Sequence, residues 1–286
     1  MRHGFLLIAK PVGPTSHDCV AHVRTLLCER KIGHLGTLDP AAEGLLVLAV
    51  GAKALKVIEL FADLSKEYTA QVCLGTESTT YDREGVLSVI PPKPGWQKPQ
   101  KEDIERVIRD RFLGTIEQTP PAYSAIKVAG ERAYRKMRQG RGVDLPPRTV
   151  EITACDVLAY RYPDLTLRVA CGSGTYIRSL AHDLGKLLRC GGYLSGLQRT
   201  KVGDWNIEDA VAPDRVAWGH VLPLKDVLVS CAKIELTQEQ AEDIRHGRDI
   251  PVEVKPDTIA WCDDLPIALL IPSGEGNGMA HARKVL

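Results

Sequence analysis

Apolar residues at positions 19, 20, 23, 26 and 27 recur at the spacing of one helix face. Ser16 stands in front of them as a helix cap and Asp18 lies in the first turn, where the helix dipole favours negative charge, so the pattern predicts a helix over about 17–30. The loop Gly33-His-Leu-Gly-Thr-Leu-Asp-Pro40 follows, with its glycine and Asp-Pro turn signals. The longest apolar run, residues 44–50, then predicts a buried strand. Residues 67–74 alternate strictly, placing Tyr68, Ala70, Val72 and Leu74 on the apolar face of a half-buried strand. A proline-rich stretch, 91–99, precedes a helix carrying Ile104, Val107, Ile108 and Phe112.

Strands are expected again at 150–159 and 165–171, the second alternating through Leu165, Leu167, Val169 and Cys171. The turn Gly172-Ser-Gly-Thr175 then opens a helix over about 175–189, with Ile177, Leu180, Ala181, Leu184, Leu187 and Leu188 inward. After Asp226 the chain becomes acidic, with a helix from Thr237 to His246 and a loop at 272–278, so a domain boundary is expected near 228. Strands and helices in this order favour a mixed α+β fold with a largely antiparallel sheet.

At 286 residues the chain has room for about two domains. No apolar run approaches the ~20 residues of a spanning helix, and the short apolar start lacks the cleavage site of a signal peptide, so a cytoplasmic protein without a membrane contact is expected. The eight cysteines stand singly, with no CxxC pair, and His17 and His22 are five apart rather than the four that stacks two ligands on one helix face. Neither a disulfide framework nor a metal is expected.

The net charge of +1 conceals an uneven distribution. Between 125 and 148, Lys127, Arg132, Arg135, Lys136, Arg138, Arg141 and Arg148 face only Glu131 and Asp144, a local +5, and Pro-Pro pairs bracket the segment. It reads as a basic insertion, about 118–148, that meets a polyanion or forms a solvated helix face. Residues 230–286 carry −4.

Candidate chemistry is sparse. The 172–175 turn is similar to a phosphate cradle, but neither a nucleotide-binding loop nor a GxGxxG or GxSxG signature is present, so no cofactor is expected. Asp39 by itself reads as a turn residue or a catalytic carboxylate, and His34 as a loop residue or a functional one. Arg178, in the first turn of an otherwise apolar helix, reads as the partner of a buried carboxylate or a phosphate, or as a snorkelling surface residue. Tyr68 and Tyr176 are core aromatics or substrate contacts.

Taken together, Lys10-Pro-Val-Gly13 with Thr15-Ser16, the 33–40 loop, Lys66-Glu-Tyr68, Gly174-Thr-Tyr-Ile-Arg178 and Leu197-Gln-Arg-Thr200 resemble the TruB family of tRNA pseudouridine synthases, in order and from about residue 4 to 228. The resemblance implies a pseudouridine-synthase core over 1–228 with an RNA-gripping insertion, and a small PUA-like C-terminal domain over 229–286. It implies isomerisation of uridine 55 in the T-loop of tRNA, with Asp39 as the single essential aspartate and Arg178 its partner, keeping it ionised and oriented. Tyr68 would stack on the target base, and Tyr176, Leu197 and His34 would surround it. Lys127, Arg132, Arg135, Lys136 and Arg138 would hold phosphates. A stand-alone monomer acting on the tRNA T-arm, with no protein partner, is implied.

Two departures from the family pattern stand out: Ser173 replaces a common lysine, and Thr79 stands where an aspartate is common. A non-catalytic tRNA chaperone would use the same basic and aromatic residues, but it has no need of an oriented carboxylate. A guide-RNA-dependent relative would have less use for the basic insertion.

Overall fold

The computed structural model describes residues 3–123, 127–128, 131–132, 142, 145–274 and 278–286. The chain opens with β1 (Gly4–Lys10), α1 (Ser16–Leu27), β2 (Ile32–Leu35), β3 (Glu43–Val50), α2 (Ala52–Val57) and β4 (Lys66–Leu74). A hairpin of β5 (Thr76–Ser78) and β6 (Leu87–Val89) precedes α3 (Lys101–Arg111) and β7 (Gly114–Gln118). The two-residue strands β8 (Lys127–Val128) and β9 (Glu131–Arg132) pair with each other, and β10 (Arg148–Arg161), β11 (Asp164–Cys171), α4 (Ile177–Leu187) and β12 (Gly192–Val202) follow. Short β13 (Trp205–Asn206), β14 (Leu222–Pro223) and α5 (Leu224–Leu228) lead into β15 (Lys233–Glu235), α6 (Gln238–Arg245), β16 (Thr258–Cys262), β17 (Leu265–Pro272) and β18 (Ala280–Val285).

The principal sheet has ten strands in the order β14-β1-β3-β12-β4-β11-β10-β7, with β13 attached to β12 and β2 to β3. Every pairing is antiparallel except β3 with β12. That single parallel contact places Gln198 opposite Glu43 and Arg199 opposite Gly44. Gly44 has φ of +110°, and a Cβ there would meet the Arg199 carbonyl oxygen at 2.3 Å, so only glycine permits the approach. The mixed, largely antiparallel α+β fold agrees with the sequence expectation.

Two burial regimes explain the two hydrophobic patterns. Strands β1 and β3 are covered on both faces: Leu6, Ile8, Leu46 and Leu48 pack under α1, while Phe5, Leu7, Leu45 and Val47 face the α2 side. Such strands read as continuous apolar runs. Strands β4 and β11 bury one face, where Ala70, Val72, Leu165, Leu167 and Val169 meet Ile104 and Ile108 of α3 and Leu180 and Leu184 of α4. Their sequences alternate accordingly.

Local details depart from the sequence reading. The α1 cap is Thr15, whose hydroxyl accepts from Asp18 N at 3.1 Å while the Asp18 carboxylate accepts from Thr15 N at 2.9 Å. These bonds hold the Asp18 carboxyl below its ordinary value. Helix α1 ends at Leu27 because Cys28 turns into the left-handed region, φ 51°, and Leu26 faces outward. Helix α4 begins only at Ile177, and Leu187 is exposed on its outer side. Helix α6 is capped by Thr237, whose hydroxyl accepts from Gln240 N.

The second sheet, β15-β16-β17-β18, does not stand apart. Ile259, Trp261 and Leu269 share one apolar cluster with Phe5, Val57 and Phe61, and Leu224 and Leu228 of α5 join it from the point where a boundary was expected. Ion pairs close the rim: Glu59 binds Arg283 and, at 2.9 Å, Lys284. No helix among the described residues is long and apolar enough to cross a membrane.

Candidate active site

Asp39 lies in the loop between β2 and β3, and buried polar side chains from three elements fasten that loop. Lys10, at the end of β1 and 1% exposed, donates from Nζ to Ala42 O at 2.6 Å. Ser16, at the start of α1, donates to Leu38 O at 3.0 Å and accepts from Leu38 N at 2.9 Å. Arg199, on β12 and also 1% exposed, donates to Gly36 O at 3.0 Å and to Leu45 O at 2.7 Å. Burial pushes the Lys10 ammonium below its ordinary value, so the carbonyl contacts do not fully offset its lost hydration.

Arg178 comes from the first turn of α4, 139 positions along the chain from Asp39. One of its terminal nitrogens lies 3.1 Å from Asp39 Oδ2 and the other 3.2 Å from Asp82 Oδ2. It also donates to the carbonyls of Thr80 and Tyr123. The side chains of Arg178 and Asp82 are 9% and 7% exposed, whereas that of Asp39 is 43% exposed. The guanidinium and Asp82 therefore form a buried support, and the carboxylate offered to an incoming molecule is that of Asp39.

Asp39 opens onto a cleft of about 480 Å³ whose walls include Tyr68, Tyr176, Arg178, Leu197 and the 172–175 turn. Tyr68 and Arg199 are cross-strand partners in the β4–β12 register, which sets them side by side on one sheet face. Burial pushes the Tyr68 phenol above its ordinary value, and the positive charge of Arg199 opposes the shift only in part. Tyr176 precedes α4 and is pinned by Gln118, which accepts from its N–H at 2.8 Å and donates to its carbonyl at 3.0 Å. At the rim, Ser173 donates to Asp63 at 3.0 Å.

The structure thus gathers Asp39, Tyr68, Tyr176, Arg178 and Leu197 at one cleft. His34 sits on β2 opposite Leu48, with its ring edge-on to His17 at 6.4 Å and its Nδ1 buried without a partner, and it is not among the residues lining that cleft. Of the basic residues, Arg135, Lys136 and Arg138 lie outside the described residues, and Lys127 and Arg132 are described only as backbone in β8 and β9. Residues 118–123, assigned by sequence to the insertion, belong to the body: Gln118 is buried, and Ser179 donates to Thr119 O at 2.7 Å.

Four polar residues of the site escaped the sequence reading as site residues. Asp82 supplies the buried carboxylate of the 76–82 segment, three residues beyond Thr79. Lys66 lines the cleft, donates to Ala62 O at 3.0 Å, and has its ammonium pushed down by burial. Lys10 and Arg199 hold the loop. For Lys10, Lys66 and Arg199 the available signal was a charged residue on a strand that the apolar pattern buries, which implies a buried partner; Asp82, in a polar turn, carried no such signal. A half-exposed carboxylate on a buried cation, beside an aromatic ring in a cation-bearing cleft, can bind a planar polar base and serve it as nucleophile or proton acceptor.

The model of the TruB family pseudouridylate synthase N-terminal domain matches residues 24–177. A protein of Leifsonia xyli subsp. xyli named tRNA pseudouridine synthase B is 39% identical over 290 residues, covering 98% of this chain and 93% of its own. Its namesake from Trichormus variabilis is 43% identical over 211 residues, covering 73% of this chain and 70% of its own. That of Mycobacterium tuberculosis is 39% identical over 268 residues, covering 91% and 88%. Among solved structures, a chain of a Cbf5-Nop10-Gar1 complex superposes with a TM-score of 0.72 at 25% identity, covering 99% of this chain and 84% of that one. A chain of an H/ACA RNP bound to a substrate RNA containing 2′-deoxyuridine gives 0.70 at 24% with the same coverage. On the family match and on identities near two-fifths over most of its length, the chain belongs to the TruB family of pseudouridylate synthases.

Proposed function

We propose that this chain is a tRNA pseudouridine synthase that isomerises uridine 55 of the T-loop, with Asp39 as its essential carboxylate. The observation that carries the reading is the half-exposed Asp39 side chain held against the buried Arg178 at the mouth of the cleft. In the reaction the N1–C1′ glycosidic bond breaks, the uracil turns, and a C5–C1′ bond forms while C5 loses its hydrogen as a proton and N1 takes one up. The net change is an isomerisation. One carboxylate suffices for it, as nucleophile toward the base or sugar, or as the base that removes a ribose proton, with a later role in proton transfer.

A uridine inside a folded loop must leave its stack first. In this reading Tyr68 supplies the replacement surface, Leu197, Tyr176 and His34 surround the base and its loop, and Lys127, Arg132, Arg135, Lys136 and Arg138 neutralise phosphates of the T-arm. Residues 1–228 are the catalytic body and 229–286 a PUA-like unit, and the enzyme works in the cytoplasm as a monomer without a protein partner. The test is tritium release from unmodified tRNA labelled at uridine C5, run on the wild type and on Asp39→Asn. Release by the wild type alone is expected. Tritium retained by the wild type while tRNA still binds would overturn the reading in favour of a chaperone.

A further inference from the structure

Residues 78–85 form a compact turn that bonds to itself and is tied to β12 where Leu194 N donates to Tyr81 O at 2.9 Å. Ser78 donates to Asp82 O at 2.5 Å, Thr80 to Asp82 Oδ1 at 2.5 Å, and Glu84 N to the same carboxylate oxygen at 3.0 Å. The turn stands between the two halves of the site. Arg83 reaches the Asp39 loop, donating to Ala41 O at 3.2 Å, and Asp82 meets Arg178 on α4.

A second attachment to α4 lies one helical turn beyond Arg178. The ring of Tyr81 stacks on that of His182 with centroids 3.9 Å apart and planes within 10°. Tyr81 holds φ of +65°, a left-handed conformation that bulky residues rarely adopt. The site retains this backbone strain, and what it secures is a tyrosine ring on α4 directly beside a carboxylate on Arg178. His182 Nδ1 is buried without a hydrogen-bond partner, so that atom does not hold the ring in place. Residues 178 and 182 are four apart and share a helix face, so the stack and the ion pair grip α4 in line.

We propose that the Tyr81–His182 stack is a positioning clasp that keeps Asp82 seated on Arg178 and thereby sets the angle at which Arg178 presents Asp39. The clasp touches neither the cleft nor the substrate. It rests on the functional reading above, because the quantity it controls is turnover at Asp39. Small displacements of a catalytic group lower turnover steeply while leaving distant binding contacts intact.

Four variants test this, each assayed for kcat, for KM and for tRNA affinity. Tyr81→Asn accepts the left-handed backbone but removes the ring, and His182→Ala removes the other ring at a helical position where alanine is well tolerated. Tyr81→Phe and His182→Phe keep two stacked rings. The expected result is a fall of about tenfold in kcat for the first two, with tRNA affinity unchanged, and near-normal kcat for the phenylalanine variants. Should Tyr81→Asn fail to fold, His182→Ala decides alone.

Wild-type kcat in His182→Ala would overturn the clasp. An equal loss in Tyr81→Phe and His182→Phe would overturn it as well, assigning the effect to the hydroxyl and the imidazole. A wild type that makes no pseudouridine would overturn the functional reading and the clasp with it, whereas an active wild type with unaffected variants overturns the clasp alone.

Discussion

Ser16 and Leu38 exchange two hydrogen bonds through one oxygen: the hydroxyl donates to the Leu38 carbonyl and accepts from the Leu38 amide. Both residues are buried, Ser16 at 1% and Leu38 at 3% exposure, and Leu38 immediately precedes Asp39. A serine that the sequence assigns to a helix cap instead holds the backbone of the Asp39 loop. Replacement by alanine leaves a buried donor and a buried acceptor unmatched, at about 1–3 kcal/mol for such a group. Ser16→Ala is therefore expected to lose stability of that order in urea unfolding, with kcat reduced and tRNA affinity unchanged.

Arg178 serves two carboxylates, of which only Asp82 is deeply buried. Arg178→Ala strands that charge, and breaking a buried pair from one side costs about 3–5 kcal/mol. The double variant Arg178→Ala/Asp82→Ala is expected to recover part of the lost stability and none of the turnover. Urea midpoints for the single and double variants form the cycle that checks it.

Burial holds His34 and His182 below the ordinary histidine value, His34 aided by His17 and Arg199, and His182 against the opposing pull of Asp183 and Glu77. Between the lowered folded value and about 6.5 in the unfolded chain, the unfolded state binds more protons. Stability therefore rises with pH across that window and is lost as pH falls below about 6.5, the loss being complete beneath the folded value. Melting temperatures measured between pH 7 and pH 5 are expected to decline, and His34→Asn and His182→Phe to flatten the slope.

Binding of tRNA is expected to weaken steeply with salt as phosphate contacts release counterions. Arg135→Gln and Arg138→Gln should each reduce the slope of log K against log salt by about 1 and raise KM more than they lower kcat. Affinity titrations from low to moderate salt provide the check.

Periodicity made most of the scaffold legible. The alternation in β4 and β11 and the helical spacing in α1 and α4 follow directly from how many faces each element buries. Asp39 and Arg178 were legible through the motifs around them, and the expectation that Arg178 finds a buried carboxylate is met by Asp82, with the half-exposed Asp39 as its second partner. Asp82 itself was not legible as that partner. It sits in a polar turn without periodicity, and its burial comes from a tertiary contact with a helix nearly 100 positions away. Lys10 reads as the polar end of an apolar strand, and only the folded loop supplies the carbonyls that bury it. The one-residue shift from Ser16 to Thr15 has the same origin, since Thr15 can cap α1 alone while Ser16 is recruited by Leu38.

The parallel contact between β3 and β12 also fixes when in the life of the chain the site comes into being. Lys10 and Ser16 emerge from the ribosome before Asp39, but Arg178 follows by well over a hundred residues and Arg199 is later still. Until α4 has been made the Asp39 carboxylate lacks its cation, and until β12 has been made and seated beside Glu43 and Gly44 the Asp39 loop lacks the Arg199 contacts to Gly36 and Leu45. Pairings of such long sequence separation close late in folding. A nascent chain carries Asp39 for well over a hundred residues before Arg178 and then Arg199 exist, so its loop is fully fastened only once the strand containing Arg199 has docked.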